Sequence, residues 1–181
     1  MATFFTADTH FGHGGALGLF RRPFASVAEM NEAMIARWNE TVDANDEVWH
    51  LGDFAVLKSA ADVAEFLRRL NGRIHLIIGN NDSAAIVSLT RFQSAQHYAE
   101  LELEGVRLVL CHYPFRSWNG MNRGAINLHG HSHGRLKPMT RQIDVGVDVW
   151  DFRPVPVADI LAVRGRRGRV DRGVVRREGS A

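Results

Sequence analysis

The segment RIHLIIGNND, residues 73–82, carries the clearest indication of the fold. Its first six residues form a largely apolar run that predicts a buried β-strand, and the next four form a loop that contains Asn80 and Asp82. An apolar strand that ends directly in polar residues is typical of an open α/β sheet, in which ligand sites lie beyond the carboxyl ends of the strands. The segment therefore predicts both a sheet and a candidate site at its edge.

Polar residues follow apolar strands at four further places in the chain. Strands are predicted at residues 3–7, 47–51 and 106–111, and the segment AINLHGHSH (125–133) contains another. The residues at the ends of these five strands include Asp8, His10, Asp53, Asn80, His112, His131 and His133. Five independent strand ends that carry possible metal ligands predict a metal site at one edge of the sheet.

The intervals between the early strands have the periodicity of amphipathic helices. Ser26 and Glu29 form a capping box at the start of a helix over about residues 28–42, and Ser59 caps a second helix. The later strands follow one another directly, as in the pair predicted around a tight turn at 104–105. This order predicts an α/β or α+β sandwich with one mixed sheet or two packed sheets and helices outside.

The size and composition are those of one globular domain, with 181 residues of which 45% are hydrophobic and 23% charged. A last strand at 142–150 and a short helix at about 157–163 complete a domain predicted for residues 1–163. Residues 164–181 form an Arg-rich tail with seven Arg and two acidic residues, a local net charge of +5, whereas the first 163 residues hold 15 basic and 18 acidic groups. Such a composition is typical of a solvated chain end or of a contact with an anionic partner such as nucleic acid.

The sequence also indicates the cellular compartment of the protein. No stretch approaches the roughly 18 to 20 consecutive apolar residues of a membrane span, and the opening MATFFTADTH lacks the features of a secretory signal. We therefore expect a cytoplasmic protein without membrane contact. Cys111 is the single cysteine, which excludes an internal disulfide and a thiolate-only metal site. No feature of the sequence indicates an oligomeric state.

The candidate ligands are imidazoles, carboxylates and one amide, without sulfur. This set suits divalent ions of intermediate hardness and disfavours a structural zinc site, which usually has several cysteines. Seven ligands exceed the needs of one ion. Two ions about 3.5 to 4 Å apart would use all seven and would suit displacement at phosphorus.

The same residues resemble those of a known family. The motifs DTH (8–10), GD (52–53), GN (79–80), His112 and GHSH (130–133) occur in the order found in the calcineurin-like metallophosphoesterases. Single motifs are weak, but the ordered set, each at a strand end, is specific. The chain is similar to the small, single-domain bacterial and phage members. This resemblance implies a four-layer α/β/β/α sandwich of the metallo-dependent phosphatase type.

The resemblance also implies a role for each ligand. It assigns Asp8, His10 and His133 to one ion, Asn80, His112 and His131 to a second, and Asp53 to both. Two ions polarise a phosphoryl oxygen and lower the pKa of a bridging water, so that a bridging hydroxide is expected to attack phosphorus. Manganese is the preferred ion, with iron, zinc, nickel and cobalt as alternatives. His129 is expected to pack or to orient a ligand.

One departure from the family concerns proton transfer. Asn81 stands where the family commonly has a histidine that protonates the leaving group, and the following acid, here Asp82, orients that histidine. An amide has no transferable proton near neutral pH. Three answers remain open: His13 replaces the donor, the leaving group is a weak base that needs no acid, or the domain is a catalytically silent interaction module. The predicted catalytic residues are His13, Asn81 and Asp82.

The segment HYPFRSWNG (112–120) and the residues after it supply candidate substrate contacts. Arg116 is expected to bind a phosphate, Trp118 to stack on a base, and Arg123 to contact an anion. The alternative is an exposed loop in which Trp118 packs on Pro114. The preferred function is hydrolysis of phosphodiester or phosphoanhydride bonds in a nucleotide or similar small metabolite, and a nuclease or nucleic-acid end-processing enzyme is the alternative.

Overall fold

The computed structural model describes residues 1–57 and 59–163, and the predicted tail at 164–181 lies outside them. The described strands are β1 (Thr3–Thr6), β2 (Glu47–His50), β3 (Arg73–Ile77), β4 (Phe92–Gln96), β5 (Tyr98–Leu103), β6 (Val106–Cys111), β7 (Ile126–His129), β8 (Gln142–Asp144) and β9 (Val155–Pro156). The helices are α1 (Ala16–Leu19), α2 (Val27–Thr41), α3 (Ala60–Arg69) and α4 (Ala84–Val87), with 3₁₀ turns at Met121–Arg123 and Val147–Val149 and a helical stretch at 157–163.

These strands form two sheets. The first has the order β4-β3-β2-β1-β9, in which β1 to β4 are parallel and β9 is antiparallel to β1. The second has the order β5-β6-β7-β8, and it begins with the β5–β6 hairpin predicted around residues 104–105. β6, β7 and β8 are parallel to one another. In the first sheet, α2, α3 and α4 lie between successive parallel strands and provide the crossovers that parallel pairing requires.

Apolar residues pack on three faces of these sheets. Met30 and Trp38 of α2 and Leu67 of α3 are buried against one face of the first sheet. Phe5 of the first sheet and Leu110 of the second belong to the core between the sheets. On the outer face of the second sheet, Val109, Trp118 and Ala125 form a smaller cluster under the segment 113–125. The predicted four-layer sandwich is confirmed. The outer layer on the second sheet consists of the segment 113–125 with its 3₁₀ turn.

The start of α2 has one of the two hydrogen bonds of the predicted capping box, because the Glu29 carboxylate accepts from Ala25 and not from the capping residue Ser26. The Ser26 hydroxyl accepts a hydrogen bond from the Glu29 amide at 3.1 Å, and the Glu29 carboxylate accepts one from the Ala25 amide at 2.8 Å. Ser59 caps α3 in the same way, because its hydroxyl accepts from the Asp62 amide at 3.2 Å. These caps satisfy amide groups that have no partner within the helix.

Two strand ends approach each other closely at the carboxyl edge of the first sheet. A Cβ atom at Gly79 would lie 2.5 Å from the backbone nitrogen of Asp53, so only glycine allows the loops after β2 and β3 to touch here. The loop after β1 joins them, because the Asp8 amide donates to the carbonyl of Gly52 at 2.9 Å. The polar residues that follow three parallel strands therefore lie side by side.

Some predicted elements differ from the structure. The strand predicted at 142–150 is limited to β8, because the chain turns into the 3₁₀ turn at Val147–Val149. The sequence analysis predicted no strand at β4, whose polar FQSAQ sequence pairs at the edge of the first sheet.

Among the described residues, we find no helix with the length and apolarity needed to cross a bilayer.

Candidate metal centre

The structure brings the seven predicted ligands together at the sheet edge. The Nε2 atom of His133 lies 4.0 Å from Oδ1 of Asp8, and ligand atoms of His10 fall within 4.8 Å of both residues. These three residues form the first half of the cluster. They come from the loops after β1 and β7, hence from both sheets.

The other half of the cluster surrounds Asn80. Its Oδ1 atom lies 2.9 Å from Nδ1 of His131 and 3.0 Å from Nε2 of His112. Asp53 reaches both halves: one carboxylate oxygen lies 3.5 Å from Nε2 of His10 and the other lies 3.6 Å from Nε2 of His112. The carboxylate of Asp53 therefore connects the two halves of the cluster.

The backbone at these positions is unusual. The residues with φ between 48° and 64° include five candidate ligands, namely Asp8, His10, Asp53, His131 and His133. Left-handed backbone is uncommon without glycine, although Asp and His adopt it more often than bulky residues. The sharp turns reverse the chain directly after a strand, which keeps the side chains at the sheet edge.

Two buried atoms fit a bound cation. Oδ1 of Asp8 and Nε2 of His10 are buried, and neither has a hydrogen-bond partner among residues 1–57 and 59–163. An unsatisfied buried polar atom is costly, and such atoms are rare without a bound water or ion. A divalent ion would satisfy both atoms, and the nitrogen and oxygen donors match ions of intermediate hardness.

Burial controls the protonation of these two groups. Burial raises the pKa of the Asp8 carboxyl well above its ordinary value, and the nearby charges of Asp53 and Asp144 raise it further. Burial lowers the pKa of His10 to about 3, so its imidazole is neutral. Metal binding needs the neutral imidazole and the deprotonated carboxylate, so a cation would take up the negative charge of Asp8.

Asp82 supports the backbone of the cluster. One of its oxygens accepts from the amides of Asp53 at 2.9 Å and Gly79 at 2.8 Å, and the other accepts from the amide of Phe54 at 2.9 Å. The carboxylate therefore fixes the loops after β2 and β3 against each other. The structure thus directs the carboxylate of Asp82 at three backbone amides.

Asn81 contacts the shared carboxylate. Its backbone amide donates to one oxygen of Asp53 at 2.8 Å, and its side-chain amide donates to the other at 2.6 Å. His13 lies on the other side of the cluster, with Nδ1 3.3 Å from Nδ1 of His10 and a half-buried ring. The structure thus brings both residues to the candidate ligands.

The three predicted substrate contacts are placed differently. Arg116 is exposed on the loop after β6. Trp118 is 9% exposed and donates from its indole nitrogen to the Ala125 carbonyl at 3.0 Å, so its ring serves the packing of the outer layer. Arg123 lies beside Glu102 and Arg107, at the end of β6 opposite to the candidate ligands. The structure therefore does not bring Trp118 or Arg123 to the cluster.

Sequence reasoning missed four residues that contact the ligands. Arg22 and Asp148 form a buried ion pair behind Asp8 and His133. The ring of Phe20 stacks on that of His133 with centroids 3.5 Å apart, and Tyr113 meets the ring of His131 edge-on at 4.7 Å. No local sequence motif indicates these four residues. Arg22 and Asp148 are 126 positions apart, so only the folded chain shows that they pair.

The predicted packing role of His129 agrees with its surroundings. The residue is 3% exposed, and its Nδ1 atom donates to the neighbouring Gly130 carbonyl at 2.8 Å. His50 is fully buried, with Nε2 2.9 Å from the hydroxyl of Thr9. That hydroxyl donates to the Phe54 carbonyl at 2.7 Å, so it accepts its other hydrogen bond from His50.

The chain is similar to proteins from archaea, phages and bacteria. An uncharacterized protein of Methanocaldococcus jannaschii is 32% identical over 176 residues, which cover 93% of each chain. The gene 66 protein of Mycobacterium phage D29 is 29% identical over 185 residues, covering 81% of this chain and 87% of the phage protein. A crystal structure from Aquifex aeolicus, of a protein of unknown function, shares the fold with a TM-score of 0.70 at 23% identity, over 90% of this chain and 98% of that one.

A family model agrees with these similarities and with the geometry of the cluster. It matches residues 1–148, which hold all seven candidate ligands, and it describes a calcineurin-like phosphoesterase superfamily domain. The match extends over more than half of the 181 residues. The chain therefore belongs to the calcineurin-like phosphoesterase superfamily.

Proposed function

We propose that the protein is a two-metal phosphoesterase that hydrolyses phosphodiester or phosphoanhydride bonds, with a nucleotide or a similar small metabolite as substrate. The observation that carries the proposal is the position of Asp53 between the two halves of the ligand cluster, within 3.5 and 3.6 Å of His10 and His112. The unsatisfied atoms of Asp8 and His10 support it.

The residues that would hold the ions are those that the family resemblance assigns, and the contacts above support this assignment. The first ion would bind Asp8, His10 and His133, the second would bind Asn80, His112 and His131, and Asp53 would bind both. Two divalent ions, when bound, polarise a phosphoryl oxygen and lower the pKa of water towards neutrality. Manganese is the preferred ion, and iron, zinc, nickel or cobalt would also suit these donors.

The residues around the ligands would orient substrate and move protons. His13 is half-buried beside His10, where its imidazole would donate a proton to the leaving oxygen. Asn81 would hold the carboxylate of Asp53 in place through its two hydrogen bonds. The exposed Arg116, on the loop that follows the ligand His112, would contact a phosphate of the substrate.

The substrate preference follows from Asn81. An amide holds no proton that it could transfer to an alkoxide near neutral pH. Alkyl monoesters depend strongly on such a transfer, whereas pyrophosphates and aryl phosphates release weakly basic oxygens. Anhydrides and aryl diesters would therefore need no acid, whereas an alkyl diester, like an alkyl monoester, releases an alkoxide and would depend on His13 as the donor.

A nuclease or an enzyme that processes nucleic-acid ends is a second candidate. The Arg-rich residues 164–181 favour it, because clustered Arg binds phosphate backbones. A catalytically silent interaction module is opposed by the ligand cluster. Keeping several carboxylates and imidazoles together in a buried site without a cation would be electrostatically costly.

The proposal is tested by turnover with added manganese on matched substrates: an alkyl monoester, an alkyl diester, an aryl diester, a dinucleotide polyphosphate and a short single-stranded oligonucleotide. We expect the wild type to cleave diesters or anhydrides and Asp53→Asn to lose turnover together with bound metal. Full turnover in Asp53→Asn would contradict the shared role of this carboxylate.

The same panel separates the possible proton donors. His13→Ala should lose roughly 100-fold or more in kcat on the alkyl diester and much less on the aryl diester, because only the alkoxide needs a proton. His97→Ala is the matched control, since His97 is exposed on the loop between β4 and β5. An equal loss on both diesters would contradict a role of His13 as donor.

A further inference from the structure

A buried guanidinium lies directly behind the candidate metal centre. Arg22 is 5% exposed, and its Nη2 and Nη1 atoms donate to the backbone carbonyls of Asp8 at 2.6 Å and Thr9 at 2.9 Å. These carbonyls belong to the turn that carries the candidate ligands Asp8 and His10. Two donors on one rigid group fix the direction of this turn.

The same guanidinium binds a carboxylate from the far end of the chain. Nε and Nη2 of Arg22 each donate to a different oxygen of Asp148 at 2.9 Å. This bidentate geometry is the strongest form of an ion pair between side chains. Arg22 therefore connects the turn after β1 with the 3₁₀ turn at Val147–Val149, which contains Asp148.

Asp148 in turn binds a candidate ligand. Its Oδ2 atom lies 2.8 Å from Nδ1 of His133. A carboxylate paired with arginine can only accept, so Nδ1 of His133 carries a proton, and in the neutral ring Nε2 keeps its lone pair. Nε2 is the atom that lies 4.0 Å from the Asp8 carboxylate. The ring of Phe20, stacked on His133, limits rotation of the imidazole.

We propose that Arg22 and Asp148 are positioning residues for the ion assigned to Asp8, His10 and His133. Arg22 sets the backbone of the turn that carries two of these ligands. Asp148 sets the tautomer and orientation of the third. The inference rests on the proposed metal assignment and adds that one buried ion pair organises one of the two ions and leaves the other unaffected.

The competing explanation is an ion pair that only stabilises the fold. Breaking such a pair would lower the stability of the whole protein, because it leaves one buried charge without its partner. It would not select one ion over the other, and it would not change the position of the proton on His133. These two differences make the proposal testable.

The first test is manganese binding by the full chain. Calorimetric titration measures the affinities, and metal content after gel filtration measures how many ions remain bound. The first variant is Asp148→Asn, in which one acceptor oxygen becomes an amide group that faces another hydrogen-bond donor. The second is Arg22→Lys, whose single ammonium group cannot bind both backbone carbonyls and the Asp148 carboxylate. We expect the wild type to bind two ions. In both variants, one ion should bind roughly 10- to 100-fold more weakly while the affinity for the other is unchanged.

Arg91→Lys is the matched control. Arg91 also donates to two backbone carbonyls, those of Leu70 at 3.3 Å and Gly72 at 2.9 Å, but it lies away from the ligands. It should bind both ions like the wild type. If folded Asp148→Asn and Arg22→Lys bind both ions with wild-type affinity, the positioning role is overturned and the proposed function stands. If the wild type binds no manganese, the proposed function is overturned as well.

The position of the ring proton on His133 is a second measurement. It needs no metal, and the wild type alone can test the proposal. Nitrogen-15 NMR of the metal-free full chain distinguishes protonated from unprotonated ring nitrogens. We expect the proton of wild-type His133 on Nδ1, and an increased share on Nε2 in Asp148→Asn. A wild-type His133 protonated on Nε2 would overturn the proposal even if both variants failed to fold.

Discussion

Asn81 holds a carboxylate that both halves of the ligand cluster share. Two hydrogen bonds, at 2.8 and 2.6 Å, tie both oxygens of Asp53 to this one residue. A histidine at the same position would keep the backbone bond and would bring an imidazole to the open side of the cluster, because residue 81 is exposed. The position is therefore suited to a change in proton transfer that preserves the fold.

The first prediction is that Asn81→His widens the range of leaving groups. The new imidazole would protonate an alkoxide, a contribution that is typically worth about 10²- to 10⁴-fold in rate. We expect kcat/KM for an alkyl diester to rise at least about tenfold relative to that for an aryl diester. Asn81→Gln, which adds no transferable proton, is the control. An unchanged ratio of the two substrates would show that the position takes no part in proton transfer.

His50 is a buried histidine behind the turn that carries Asp8 and His10. Burial lowers its pKa to about 3 from an ordinary value of 6.5. Between these pH values the unfolded chain binds a proton that the folded chain excludes. The free energy of unfolding is therefore highest above about pH 6.5 and falls as the pH falls towards 3.

The second prediction is that His50→Gln removes part of this pH dependence. Between about pH 7.5 and about pH 5, the wild type should lose about 2 kcal/mol more stability than the variant. Urea denaturation at both pH values measures the difference. His97→Gln, at an exposed position, should keep the wild-type pH dependence. Identical pH dependence in His50→Gln and wild type would contradict a neutral buried imidazole.

At the scale of single elements, local patterns predicted helix starts and strand ends well. The cap at Ser26 depends on residues three positions apart, and the structure contains its hydrogen bond from the Glu29 amide. The strand β4 was missed because its FQSAQ sequence lies at the edge of a sheet, exposes Gln93 and Gln96, and has no alternation of apolar and polar residues. The pairing of Arg22 with Asp148 was also missed, because it depends on the packing of distant segments.

The third prediction concerns the start of α2. Ser26→Ala removes the acceptor for the Glu29 amide and should lower the free energy of unfolding by about 1 kcal/mol. Ser26→Asp, which keeps an acceptor, should stay near the wild type. Urea denaturation measures both, and Ser117→Ala on an exposed loop is the control. Equal stabilities of Ser26→Ala and Ser117→Ala would show that the cap contributes nothing.

At the scale of the whole molecule, the sandwich collects ligands from both sheets at one edge. The sequence indicated this edge because the seven candidate ligands follow five strands, and the ends of parallel strands meet. It failed for Trp118 and Arg123 because their positions depend on the path of the segment 113–125. That path is set by apolar packing on Val109, which no short motif encodes.

The fourth prediction concerns residues 164–181 as a binding segment for anionic partners. If their seven Arg contact a single-stranded oligonucleotide, affinity should fall with salt, with a logarithmic slope of up to about −5. Deleting these residues, or changing all seven Arg to Gln at constant length, should flatten the slope. Fluorescence anisotropy at several salt concentrations measures it. Equal slopes with and without the tail would remove the main support for a nuclease.

The left-handed backbone at five candidate ligands has a consequence for how the sequence changes over generations. A strained residue of this kind costs of order 1 to 3 kcal/mol, and glycine would relieve it. A lineage that no longer used these side chains would gain stability by drifting to glycine at Asp8, His10, Asp53, His131 and His133. Glycine at these five positions is therefore the change that we expect in relatives that have lost the site.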